Sequence, residues 1–395
     1  MKFGKLICVA AVALFAAVPA ALASSKWYVD GVNGSDHNNC KSPQTACKTI
    51  GHAIALASRG DFISVAAATY PENLGIPFSL TIVGSGATRT IVDGGGAASV
   101  VLNLNPKSHV TLSQMTMRNG GGQGDGGGIY NCFSTVTIVD SILSKNSATS
   151  GKGNFGYGGA IYNCPGSTMT IINTTFIKNS AENGGAICNG GRLTINNSTF
   201  SENIARHRRG GGIRNYGILT INNSTFSGNR AAHGIGGAIH NGQLFGATGM
   251  LVLNNSTVSG NSVGEGQGGG IFNLNGATAI LQNNIIASNT GGNCYGEHSM
   301  TSNGYNLSSD GTCKFRSVGD LNNTDANLGR LRYNGGPTQT MALLQGSPAI
   351  DSGNPNGCTD GHGHLLKTDQ RAKPRPDKED HGVGCDRGAF ERQSD

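Results

Sequence analysis

Gly184-Gly185-Ala186-Ile187-Cys188-Asn189, followed by Leu193-Thr194-Ile195-Asn196-Asn197-Ser198-Thr199-Phe200 and then Asn203, is the stretch that decides the fold. It recurs as Gly210-Gly211-Gly212-Ile213-Arg214-Asn215, Leu219-Thr220-Ile221-Asn222-Asn223-Ser224-Thr225-Phe226 and Asn229. A further copy starts at Gly236, and Ile129, Ile161 and Ile271 mark three more. Equivalent Ile residues are spaced by 32, 26, 26, 26 and 32 positions, a period that signals a repeat architecture. Within each copy apolar and polar residues alternate, as in a strand. The strands are short and bounded by Gly and Asn, and no ten-residue helical pattern lies between them, so βαβ units are not expected. A chain of this kind closes each turn on itself and stacks strand on strand about 4.8 Å apart. The expectation is an all-β, right-handed parallel β-helix.

One coil cannot bury its own apolar face, so neighbours must stack. Ile129, Ile161, Ile187, Ile213, Ile239 and Ile271 are expected in one inward column, and Leu143, Phe176, Phe200, Phe226, Val258 and Ile286 in another. Three polar columns run from Asn131 to Asn273, from Asp140 to Asn283 and from Asn146 to Asn289. Asn suits a turn because it tolerates left-handed geometry, and stacked amides can bond one another.

The repeats Phe176-Ile177-Lys178-Asn179, Phe200-Ser201-Glu202-Asn203 and Phe226-Ser227-Gly228-Asn229 resemble those of polymorphic outer-membrane proteins. The resemblance covers about 126–290. It implies a surface or secreted β-helix of the pectin-lyase-like superfamily. No series of ten-residue amphipathic strands follows, as a membrane barrel would need.

Around the repeats, residues 1–23 read as a signal peptide, with Lys2 and Lys5 before an apolar core and Ala21-Leu22-Ala23 as the cleavage site. Residues 47–58 put Ile50, Ala53, Ile54 and Ala57 on one helical face, a short helix capping the first coil. The β-helix with its cap is expected over 24–330. Residues 331–395 change in composition. There Asn334-Gly335-Gly336-Pro337, Gly346-Ser347-Pro348-Ala349-Ile350-Asp351, Thr368-Asp369-Gln370-Arg371 and Cys385-Asp386-Arg387-Gly388-Ala389-Phe390-Glu391 resemble the choice-of-anchor Q domain. In that family the domain closes a bacterial surface or secreted β-helix. The chain ends at Asp395 without an apolar tail, so release rather than anchoring is expected.

Export permits disulfides. Cys40 with Cys47, Cys294 with Cys313, and Cys358 with Cys385 are local candidates. Cys132 and Cys164 hold the same repeat position in consecutive coils, which brings them within bridging range. Cys188 is left over. The result is an irregular, disulfide-bonded C-terminal cap on a solenoid with no membrane-spanning segment after the leader.

The net charge of +6, two of it in the leader, and a charged fraction of 13% exclude a nucleic-acid partner. Galacturonan hydrolases of this architecture suggest a search for their motifs. Asn323-Thr324-Asp325, Gly361-His362-Gly363 and Arg371-Ala372-Lys373 match three of them, but the Asp pair is missing and the matches follow the coils. Glycoside hydrolysis needs two spaced carboxyls, so no catalytic residues are assigned. Hard cations want six or more oxygens, and the coil strands carry Thr, Ser and Asn. His362, His364, Asp369 and His381 fit no zinc spacing. Neither a metal nor a cofactor is expected. The position after each stacked Ile points outward and holds Tyr130, Tyr162, Cys188, Arg214, His240 and Phe272; Arg206, His207, Arg208 and Arg209 precede Gly210. Tyr130, Tyr162, Arg206, Arg208, Arg209, Arg214 and His240 are therefore the candidate glycan contacts. The expectation is a monomeric, non-catalytic, adhesin-like protein at the cell exterior that contacts a polysaccharide or cell-surface glycan. The alternative is a polysaccharide lyase or glycoside hydrolase.

Overall fold

The computed structural model describes residues 24–393, apart from 104, 122–123, 152–153, 245, 297–299, 361 and 378–383. The expected signal peptide lies outside the described residues.

The chain is a right-handed parallel β-helix. One coil shows how the repeat folds. Ile187–Asn189 belongs to a nine-stranded sheet, Arg192–Asn196 to an eleven-stranded sheet, Thr199–Ser201 to a ten-stranded sheet, and Ile204–Ala205 to a narrow five-stranded one. We call the eleven-stranded sheet the first, the nine-stranded the second, the ten-stranded the third and the five-stranded the fourth. Each strand pairs in parallel with its counterparts one coil before and after. Ile187 sits opposite Ile161 and Ile213, and Phe200 opposite Phe176 and Phe226. Every member of both predicted apolar columns is fully buried.

The polar columns hold the corners between sheets. Asn131, Asn163, Asn189, Asn215, Asn241 and Asn273 are buried, and each Nδ2 from Asn131 to Asn241 donates to the Oδ1 of the next coil at 2.6–2.8 Å. A second ladder from Asn146 to Asn289 has the same links at 2.8–3.0 Å. The middle column does something different. Asp140, Asn173, Asn197, Asn223, Asn255 and Asn283 all have φ between 46° and 56°, the left-handed turn that Asn accommodates better than most residues. That turn breaks the strand alternation between the first and third sheets.

Both ends of the apolar stack are closed. The helix Ile50–Leu56 buries Ile50, Ala53 and Ile54 over the first coils. Its first two free N–H groups donate to the Glu72 carboxylate at 2.9 and 2.8 Å, and Thr49 caps it. At the far end Phe315 and the Cys294–Cys313 disulfide join the core.

The described residues of 331–393 run back along the outside of the third sheet. Thr338 Oγ1 donates to Asn197 O, Gln370 Nε2 to Thr199 Oγ1, and Thr225 Oγ1 to Gln370 Oε1. The left-handed Asn column supplies more links. Asn223, Asn255 and Asn283 donate to the carbonyls of Thr368, Thr359 and Asp386. Beneath this cover lies a buried charge cluster. Arg371 pairs with Asp369 at 2.8 Å and lies over the Phe390 ring, and Arg375 pairs with Glu391 at 2.6 Å.

Burial, then the nearby Glu391 carboxylate, pushes the Asp386 carboxyl up to about 8; burial also raises Glu391. The folded state therefore binds more protons than the unfolded state between about pH 4 and 8. The contribution is full below about pH 4 and is lost as pH rises to 8. Hydrogen exchange should show residues 331–377 better protected at pH 5.5 than at pH 8.5, with the coils unchanged. Asp386→Asn should flatten this dependence, and equal protection at both pH values would refute the linkage.

Candidate functional site

The outward column of the second sheet runs Gly75, Leu102, Tyr130, Tyr162, Cys188, Arg214, His240, Phe272 and Tyr295, one residue per coil. It is not uniformly open. Tyr162 is 8% exposed, Arg214 4%, and Cys188 and His240 0%. These residues do form one row, as their spacing implied, yet other segments cover its middle. Tyr216 lies across the row with its hydroxyl 3.1 Å from that of Tyr162. Gly190 makes room for that ring, because a Cβ there would stand 2.4 Å from it. Tyr157 packs against Tyr162, Phe155 stacks on Tyr157, and Leu244 and Ala247 of a small hairpin join the cover.

Within this layer Arg214 is held, while both ring nitrogens of His240 and the Asn183 Nδ2 are buried without a hydrogen-bond partner among the described residues. Arg214 donates to Asn183 Oδ1 at 2.7 Å and faces the Tyr157 ring. His240 stacks on Phe272. Burial, then Arg209 and Arg214, lowers its basicity far below the usual imidazole range, so it is neutral at pH 7. Burial pushes the Cys188 thiol up to about 12, which leaves no nucleophilic thiolate at physiological pH. Of the predicted loop cations, Arg208 is exposed while Arg206 and Arg209 are half-buried. Arg206 lies over the fourth sheet and donates to Ser147 and Ser180 at 3.1 and 2.6 Å.

The row is open at both ends: Tyr295 is 44% exposed at the C-terminal end, and at the N-terminal end Tyr130, an expected contact, is joined by Gly75 and Leu102, which the sequence analysis did not single out. Gly75 has no side chain, Leu102 is 39% exposed, and Tyr130 is half-buried with its ring 5.7 Å from that of Tyr162. A cleft of about 310 Å³ crosses these rungs, reaching from Asn73 to Asp125. It continues into a second hollow of about 460 Å³ bounded by Ile76, Pro77, Asn105 and Pro106, and the two share Gly75 and Leu102. Asp125 accepts the Tyr157 N–H at 2.8 Å, and burial raises its carboxyl above the usual carboxylate range. The coils of Gly75 and Leu102 lack the Gly-Gly-x-Ile signature that marks the Tyr130 coil, so the signal available for them was the outward alternation itself.

The remaining motifs do not converge. Asp325 turns back on the Asn327 N–H, His362 is exposed, and Arg371 is held in its ion pair. Gly361 and His381 lie outside the described residues. Asp360 accepts from His364 Nδ1 at 3.1 Å near the surface, apart from Asp369. Cys40, Cys47 and His52 approach one another, but both sulfurs belong to a disulfide. The four predicted cysteine pairs are bonded, with Cα separations of 5.0 Å for Cys40–Cys47, 4.9 Å for Cys132–Cys164, 4.7 Å for Cys294–Cys313 and 6.0 Å for Cys358–Cys385; Cys188 is free and buried. Among the described residues no helix is long and apolar enough to cross a membrane.

No family model matches the sequence, and no curated protein matches it. Solved structures do. A pectate lyase is similar over 94% of this chain and 98% of its own, with 14% identity and a TM-score of 0.50. A carrot pectin methylesterase is similar over 72% of this chain and 89% of its own, at 12% identity and a TM-score of 0.41. A rhamnogalacturonan lyase is similar over 82% of this chain and 96% of its own, at 11% identity and 0.37. The pectate lyase likeness is one of fold, that of a parallel β-helix.

Proposed function

We propose that this is an exported β-helix protein that contacts glycans without cleaving them, through the outer face of its second sheet. The observation that carries the proposal is the open N-terminal end of that face, where Gly75 and Leu102 line two adjoining hollows and Tyr130 stands on the next rung. Apolar and aromatic side chains backed by a few convergent polar groups are the usual make-up of a ligand site. The solved structures of similar fold include carbohydrate-active proteins, which supports a glycan as the ligand. Four disulfides suit an oxidising compartment. The repeat and C-terminal resemblances support a bacterial surface or secreted setting, with residues 331–395 as a choice-of-anchor Q-like region.

Among the described residues the cleft brings up one carboxyl, Asp125, where glycoside hydrolysis uses two. That supports binding over catalysis. The polysaccharide lyase or hydrolase reading draws on the same residue, since a carboxyl held above its usual range suits a general acid. Incubation with a panel of neutral and uronate polysaccharides separates the two. Retention on a polysaccharide with no new reducing ends and no unsaturated products is expected. Product formation would favour the enzyme, and neither binding nor product would remove both readings.

A further inference from the structure

Resting on the glycan-contact reading, we infer that the N-terminal cleft is built for a neutral, uncharged sugar chain rather than a uronate. The lining decides this. Ile76, Pro77, Pro106 and Leu102 supply an apolar wall and floor, and the polar lining includes Asn105, which donates to the Pro77 carbonyl, and Asp125, which accepts the Tyr157 N–H. Among the described residues no Lys, Arg or His lines either half of the cleft; Lys145 lines a separate hollow beyond Gly121. A carboxylate ligand would have to shed its water with no cation to receive it, a strongly unfavourable transfer. Asp125, the one ionisable lining group, would repel it once charged. A neutral pyranose meets neither obstacle: its apolar face lies on Leu102 and the prolines while its hydroxyls find the amide and the carboxyl.

Gly75 makes the space. It occupies the first outward rung, next to Leu102, and a Cβ built there meets nothing within 4 Å. Its backbone is not in the left-handed region, so larger residues fit the strand without strain. A long side chain at this rung fills the junction of the two hollows. The arginines of the middle rungs are engaged elsewhere. Arg206 is spent on Ser147 and Ser180, and Arg214 on Asn183.

The test measures binding of neutral hexaoses of glucose, mannose and xylose against hexagalacturonate by calorimetry at pH 7, using the whole chain. At least one neutral hexaose should bind at least tenfold more tightly than hexagalacturonate. Gly75→Ala should retain that affinity, and Gly75→Phe should lower it at least tenfold with unchanged melting. Hexagalacturonate binding as tightly as the neutral chains would overturn the inference while leaving glycan contact standing. So would neutral binding that Gly75→Phe leaves intact. If none of the hexaoses binds and the polysaccharide panel is also negative, the glycan reading falls with it.

Discussion

Asn229→Ala should lower the unfolding free energy by about 3–5 kcal/mol, from orphaned and weakened buried hydrogen bonds. Asn229 is fully buried and serves three coils at once. Its Oδ1 accepts from the backbone N–H of Asn203 at 3.2 Å and from Asn203 Nδ2 at 2.8 Å. Its Nδ2 donates to Phe200 O at 2.9 Å and to Asn261 Oδ1 at 2.8 Å. Truncation leaves the Asn203 backbone N–H without its acceptor and takes a bond from each of the other three groups. Water cannot reach them inside the stack. Thr220→Ala, on the half-exposed outer face of the first sheet, should change stability by less than about 1 kcal/mol. Urea unfolding of both variants checks this, and equal losses would mean that the amide ladder does not carry the corner.

Phe200→Ala should cost about 3–5 kcal/mol. The Phe200 ring is fully buried between Phe176 and Phe226, with centroids 4.5 and 4.6 Å away and planes within 4° and 5°. Neither neighbour can collapse into the space, because each is fixed by its own coil's backbone register. The same unfolding series reads the loss. A cost below about 1 kcal/mol would place the ring outside a packed core.

Much of this fold was legible in the sequence because its columns repeat. Ile187, Ile213 and Ile239 share a rung position, and the register follows from counting. The Cys132–Cys164 pair followed the same way, since equal position in adjacent coils fixes the Cα distance. The candidate site was less legible. Arg214 and His240 do point away from the stacked Ile residues, as alternation requires, yet both are buried. Alternation tells which side of a sheet a residue is on; it does not tell what folds over that side. Tyr157, Tyr216 and the hairpin at Leu244 come from loops between the repeats, and no period announces where they fold. The cleft at Gly75 and Leu102 was missed for the complementary reason. Its coils are irregular, and its defining feature is an absent side chain. Residues 331–395 were assigned from motifs, but motifs do not say that Gln370 reaches Thr199 and Thr225 on the flank of the helix.

The whole account depends on equivalent side chains of successive coils touching. A double-mutant cycle on Phe200→Ala and Phe226→Ala measures that contact between residues 26 positions apart. The coupling should be about 0.5–1.5 kcal/mol, the usual worth of an aromatic pair beyond its buried area. A parallel cycle on Phe200 and Phe62, which lies coils away on the first sheet, should give a coupling below about 0.5 kcal/mol. No coupling between Phe200 and Phe226 would contradict the stacking and the β-helix built on it.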